Sequence, residues 1–187
     1  MKGCKALVIG GSAGSLDVLI KVLPELDTDL AFPIIIVIHR KKGTDSLLAD
    51  LLSTKTQLLV KEVEEKEEIL ARTIYIVPSD YHLLIENDHT FSLDYSEKVN
   101  YSRPSIDVTF QSAAEVYGEQ LVCLLLSGSN TDGVNGLITA RNYGAEICVQ
   151  DPSTAQVDFM PAQAIASVKV DHILSTEAIA AYINTLN

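Results

Sequence analysis

Leu7-Val8-Ile9-Gly10-Gly11-Ser12-Ala13-Gly14-Ser15 is an apolar run that stops on glycines, presents one serine and leads into an amphipathic segment. The stretch reads as a strand, a tight turn and a helix start. Gly10, Ser12 and Gly14 fit the G-x-S-x-G spacing, in which small neighbours let the chain turn sharply enough to hold a serine hydroxyl out at a sheet edge. A dinucleotide fingerprint fails because position 12 is serine, and no Gly-Lys-Ser/Thr follows as a phosphate-binding loop requires. The ordinary alternative is a serine whose hydroxyl only caps the following helix.

Outward from this turn, the chain alternates between two periodicities. Leu16, Leu19, Ile20, Leu23 and Leu26 recur at helical spacing until Pro24 and Asp27-Thr28-Asp29 weaken the pattern. Pro33 to Ile38 is a β-branched run suited to a parallel strand covered on both faces, and it ends on His39. Arg40-Lys41-Lys42-Gly43 is a basic turn, and Thr44-Asp45 caps a helix carrying Leu47, Leu48, Leu51 and Leu52. Further strands are expected at 58–63 and 73–77, and a hairpin where Leu83-Leu84-Ile85 and Phe91-Ser92-Leu93 flank Glu86-Asn87-Asp88-His89. Ser105 is the expected cap of a helix ending at Gly118, and Leu121 to Leu126 is the most apolar run. A helix with Val134, Leu137 and Ile138, a strand at 146–149, a short helix after Pro161, a strand at 171–174 and a helix over 175–186 complete the pattern. The alternation predicts an α/β fold: a doubly wound, mostly parallel sheet with helices on both faces, a three-layer αβα arrangement with one antiparallel hairpin.

At 187 residues and 47% hydrophobic content the chain suits one domain with a core that needs no disulfide or metal. A formal charge of −11 argues against a nucleic-acid or anionic-membrane partner. Part of that charge is the cluster Glu62, Glu64, Glu65, Glu67 and Glu68, read as a solvated face. Cys4, Cys123 and Cys148 are odd in number and widely spaced, which fits core residues in a reducing compartment. With neither a signal-peptide pattern nor a run able to insert into a membrane, a cytoplasmic protein is expected.

Ligands of such sheets bind beyond the carboxyl ends of the strands, where the strand order reverses. Ser12 follows the first strand, His39 ends the second, and Asp132 lies in the loop after 121–126. A serine is a poor nucleophile until a histidine takes its proton, and a carboxylate fixes that histidine's tautomer. Singly, each residue has an ordinary explanation as a cap or a strand end. Together they suggest a serine hydrolase, although the order Ser, His, Asp excludes the α/β-hydrolase fold, whose acid precedes its histidine. His82, His89 and His172 show no metal-ligand spacing, so neither a metal nor an organic cofactor is expected.

Gly10-Gly11-Ser12-Ala13-Gly14, Ile38-His39, Arg103-Pro104-Ser105-Ile106-Asp107, Ser127-Gly128-Ser129-Asn130-Thr131-Asp132-Gly133 and Met160-Pro161 occur in this order. Together they resemble the catalytic domain of the chemotaxis protein-glutamate methylesterases, the CheB family. The resemblance implies hydrolysis of glutamyl methyl esters on the cytoplasmic helices of methylated chemoreceptors, with glutamine deamidation as a companion activity. It casts Ser12 as nucleophile, His39 as general base and acid, and Asp132 as the orienting carboxylate. Backbone N–H groups near Ala13 and Ser129 are the oxyanion candidates, and Arg103 and Met160 are pocket candidates. Arg40, Lys41, Lys42 and Arg103 are expected to make the rim positive on an otherwise acidic body.

Residues 1–187 are read as a single catalytic domain with no receiver domain, a regulatory module common in the family. Control by a separate partner, the absence of such control, and a place in a longer chain all remain open. Two other readings also stay open: a non-catalytic interaction module of a chemotaxis-type system, and a serine esterase with another substrate.

Overall fold

The computed structural model describes residues 3–40 and 45–187. Strand β1 (Ala6–Gly11) carries no polar side chain because both of its faces are buried. Val8 and Ala6 join one core layer, and Leu7 and Ile9 join the other. Helix α1 (Ser15–Val22), β2 (Ile34–Ile38), α2 (Asp45–Ser53), β3 (Leu59–Glu62) and β4 (Thr73–Ile76) follow. After the hairpin β5 (His82–Ile85) and β6 (Phe91–Asp94) come α3 (Ile106–Tyr117), β7 (Leu121–Leu125), α4 (Val134–Asn142) and β8 (Glu146–Gln150). Helix α5 (Phe159–Ser167), β9 (His172–Leu174) and α6 (Thr176–Asn184) end the order.

Seven strands form one sheet in the order β3-β4-β2-β1-β7-β8-β9, and β5 pairs with β6 apart from it. Every pairing within the large sheet is parallel, and the hairpin is antiparallel. One core layer gathers Phe110, Leu137 and Ala164 of α3, α4 and α5 with Leu83 and Phe91 of the hairpin. The opposite layer gathers Leu19, Leu52 and Ile183 of α1, α2 and α6. This is the expected three-layer αβα sandwich. The chain runs outward from β1 through β2, then crosses back to β7 on the other side, so the order reverses beside β1. The carboxyl ends of β1, β2 and β7 therefore share one crevice, where open α/β sheets bind ligands.

Local differences from the expectations have physical causes. Helix α5 begins at Phe159, so Pro161 lies inside its first turn, where a missing N–H costs no helical hydrogen bond. Ser105 occupies the N-cap position of α3 but makes no capping bond to it; the Ser105 Oγ–H donates to Asp132 at 2.7 Å instead. Lys41, Lys42, Gly43 and Thr44 lie outside the described residues. No helix among the described residues is long and apolar enough to cross a membrane.

Candidate active site

The turn after β1 is held by backbone bonds within itself and to the loop after β7. Ser12 N–H donates to Ser127 C=O at 2.9 Å, and Ser15 N–H donates to Ser12 C=O at 3.1 Å. The buried Ser15 hydroxyl reinforces that carbonyl at 2.6 Å. Gly14 has φ +83°, and a Cβ there would lie 2.7 Å from both Gln156 Cβ and Ser127 Oγ, so glycine is required twice over. Gly14 is also the N-cap of α1, without a side-chain capping bond. Among the described residues the Ser12 hydroxyl makes no hydrogen bond, so it does not cap the helix. It opens into a cleft of about 330 Å³ shared with His39 and Arg40 and walled by Leu16, Ile38, Leu48 and Leu51.

His39 follows β2, and its backbone N–H donates to Gly11 C=O at 3.1 Å, which sets it beside the serine turn. Its Nε2 lies 2.7 Å from Asp132 Oδ2. Asp132 is fully buried in the loop after β7. The same Oδ2 accepts Ile106 N–H at 2.6 Å, while Oδ1 accepts Ser105 Oγ–H at 2.7 Å and the N–H of Asp107 and an Asn100 Nδ2–H at 3.2 Å. Two of these donors are backbone N–H groups at the start of α3, where the helix dipole also favours negative charge. Burial pulls the Asp132 carboxyl upward, but the bonds from His39, Ser105 and Ile106 outweigh it and hold it below the ordinary value of 3.8. An ionised carboxylate only accepts, so His39 Nε2 carries a hydrogen, and in the neutral ring Nδ1 is the nitrogen with the lone pair.

That lone pair meets Asn130, whose Nδ2 lies 3.3 Å from His39 Nδ1. Sequence reasoning singled out Asn130 as part of a distinctive loop, but nothing in a linear chain reveals a contact across 91 positions. Asp107 is a second buried carboxylate of the site. Its Oδ1 accepts the N–H of Gly133 at 2.9 Å and of Gly136 at 2.6 Å, and its Oδ2 accepts Asn100 Nδ2–H at 2.8 Å. Burial pushes the Asp107 carboxyl up, and the Asp132 charge adds to the push against these bonds. Its place in the Arg103-to-Asp107 motif was visible in the sequence; its role was not.

A second hollow, about 280 Å³, adjoins His39 and is lined by Arg40, Lys98, Tyr101, Ser102, Arg103 and Pro104. Arg103 lines it but is committed elsewhere. Its guanidinium holds Asp80 Oδ1 at 2.7 and 3.2 Å, the carbonyls of Ser96 at 2.6 Å and Tyr95 at 3.2 Å, and stacks over the Tyr95 ring. Arg40 donates to Val77 C=O at 2.7 Å and faces Glu62 at 3.5 Å. Each expected rim arginine thus brings a carboxylate with it, which weakens the local positive potential. Lys98, which the sequence reading did not select, is an exposed cation of this hollow.

The remaining candidates sit around the serine. Ala13 and Ser129 are exposed, and neither backbone N–H has a protein acceptor among the described residues. Met160 is fully buried and donates its backbone N–H to Gly128 C=O at 3.0 Å. A Cβ at Gly128 would lie 2.6 Å from Met160 Cε and 3.0 Å from Ser12 Cβ, so the bare glycine lets Met160 and Ser12 close on one another. His82 is a satisfied core histidine, donating from Nε2 to Glu97 C=O at 2.9 Å and accepting Ser105 N–H at Nδ1. Among the described residues no group of His, Cys, Asp and Glu is arranged to hold a metal.

A family model described as CheB methylesterase matches residues 7–183. The chain belongs to the CheB methylesterase family. Its fold superposes on the crystal structure of the Thermotoga maritima CheB methylesterase catalytic domain with a TM-score of 0.94, at 33% identity over 98% of this chain and 99% of that one. A Leptospira interrogans protein, provisionally named a protein-glutamate methylesterase/protein-glutamine glutaminase, is 45% identical over 94% of this chain and 91% of its own length. The Thermotoga maritima protein-glutamate methylesterase/protein-glutamine glutaminase is 34% identical over 91% of this chain, which spans 50% of that longer relative. Within the CheB fold, Ser12 and His39 share one cleft at the carboxyl ends of adjacent strands, and buried Asp132 bonds His39.

Proposed function

We propose that the chain is a protein-glutamate methylesterase that hydrolyses γ-carboxyl methyl esters of chemoreceptor glutamates, and deamidates glutamines there, through Ser12, His39 and Asp132. The observation that carries this reading is the 2.7 Å bond between His39 Nε2 and buried Asp132, formed beside the serine turn in a CheB fold. Residues 1–187 are read as a single catalytic domain, acting in the cytoplasm on the methylated helices.

In the first half-reaction Ser12 Oγ attacks the ester carbonyl carbon as His39 Nδ1 takes its proton. Asp132 stabilises the imidazolium from the opposite nitrogen. His39 then returns the proton to the departing methoxy oxygen, releasing methanol and leaving an acyl-serine; with glutamine the leaving group is ammonia. Water adds by the reverse proton path, yielding glutamate and free Ser12. The N–H groups of Ala13, next to the serine, and Ser129, next to Gly128 in the loop that meets it, have no protein acceptor among the described residues and are suited to the oxyanion, a role worth ~3 kcal/mol per donor.

One observation favours a second reading, a binding module without turnover: the Ser12 hydroxyl is not bonded to His39, whose Nδ1 faces Asn130. Methanol release from methylated receptor fragments separates the two. Release that disappears in Ser12→Ala supports the esterase, whereas folded protein that binds the receptor and releases nothing supports the module.

A further inference from the structure

The contact between Asn130 and His39 has a fixed direction. Asn130 Oδ1 accepts Asp132 N–H at 3.1 Å, which turns Nδ2 toward His39 Nδ1 at 3.3 Å and Ser102 Oγ at 3.5 Å. An amide NH₂ has hydrogens to give and no lone pair to offer. The contact is therefore attractive only while Nδ1 is unprotonated. Once Nδ1 gains a proton, two donors face each other.

We propose that Asn130 is a positioning residue that holds the His39 imidazole as a neutral base in the resting enzyme and opposes the imidazolium formed during turnover. The inference rests on the esterase reading for its kinetic consequences, but not for its effect on the ring. Asp132 and Asn130 act on opposite nitrogens in opposite senses: the carboxylate favours the protonated ring, and the amide disfavours it. The bond is near the long limit for N–H···N geometry, so a serine hydroxyl readily displaces it as substrate arrives. Among the described residues the other charged groups facing this corner are Asp107 behind Asp132, Arg40 just after β2 with Glu62 of β3, and Lys98 and Arg103 with Asp80 across the hollow. All of them stay in place when Asn130 alone is changed.

The test compares the full chain with Asn130→Ala and Asn130→Asp. Alanine removes the donor. Aspartate keeps an oxygen for Asp132 N–H, which protects the loop, and puts a negative oxygen on Nδ1. Proton–nitrogen NMR follows the His39 ring against pH, assigned by its loss in His39→Gln, and methanol release gives kcat/KM against pH. The ring midpoint is expected to rise by about half a pH unit in Asn130→Ala and by about one to two in Asn130→Asp, since a donor facing the neutral form is lost in one and an opposite charge is gained in the other. The acidic limb of kcat/KM, which reports the free enzyme, should move the same way, and the alkaline plateau of kcat/KM in Asn130→Ala should rise ~2- to 5-fold because no resting contact has to be displaced. Equal midpoints in all three proteins would overturn the proposal, as would a reduced plateau with an unmoved acidic limb, which is the signature of a purely structural loop residue. If wild type releases no methanol while the ring midpoints keep the expected order, the esterase reading fails and the role of Asn130 at His39 stands.

Discussion

Asp107 and Asp132 cap each other's helices. Asp132, just ahead of α4, accepts the first N–H groups of α3 at 2.6 and 3.2 Å, while Asp107, in the first turn of α3, accepts the N–H groups of Gly133 and Gly136 at the start of α4 at 2.9 and 2.6 Å. The carboxylate bonded to His39 is thus located by two helix starts and is tied into the core.

Replacing Asp107 should therefore damage stability more than its distance from Ser12 suggests. Asp107→Ala leaves two buried N–H groups without an acceptor and is expected to cost about 2–4 kcal/mol, with Asp107→Asn costing roughly half because one oxygen remains. Urea unfolding monitored by circular dichroism measures both. Equal stability of all three proteins would contradict the cross-capping account.

Acid should separate the two carboxylates. Asp132 lies below its unfolded value, so its contribution is present above that value, near 3.8, and is lost as pH falls through the folded one. Asp107 is displaced upward, so folding disfavours its ionised form, and that cost grows as pH rises from its unfolded value near 3.8 through the folded one. Between about pH 6 and pH 3, Asp132→Asn should lose less stability than wild type, and Asp107→Asn should lose more. Urea midpoints across that range check both signs.

The contact between Gly128, Met160 and Ser12 predicts a split between stability and rate. Gly128→Ala is expected to cost about 1–3 kcal/mol through overpacking and to lower kcat more than ~10-fold by displacing Ser12. Adding Met160→Ala removes the flexible obstacle, restoring part of the stability, while the 3.0 Å approach to Ser12 Cβ persists and keeps the rate low. Thermal denaturation and methanol release read the two effects separately.

Burial pushes the thiols of Cys4 and Cys148 up to about 12, and that of Cys123 well above its ordinary value. Thiolate is the reactive form, so alkylating reagents near neutral pH should leave esterase activity intact, whereas a serine-directed phosphonate should abolish it. Inactivation by iodoacetamide would point to chemistry away from Ser12.

Periodicity in the chain was enough to determine the alternating elements, the antiparallel hairpin, and the placing of Ser12, His39 and Asp132 just beyond apolar runs. These follow from local rules: β-branched runs make strands, helical spacing makes helices, and parallel sheets align strand ends. Tertiary structure alone decided which nitrogen of His39 meets Asp132, that Asn130 holds the other, that Asp107 and Asp132 exchange caps, and that Arg103 is committed to Asp80. Those contacts join residues between 23 and 93 positions apart. Loops beyond the strands carry no repeating pattern, so their side chains find partners only once the sheet has brought the loops together.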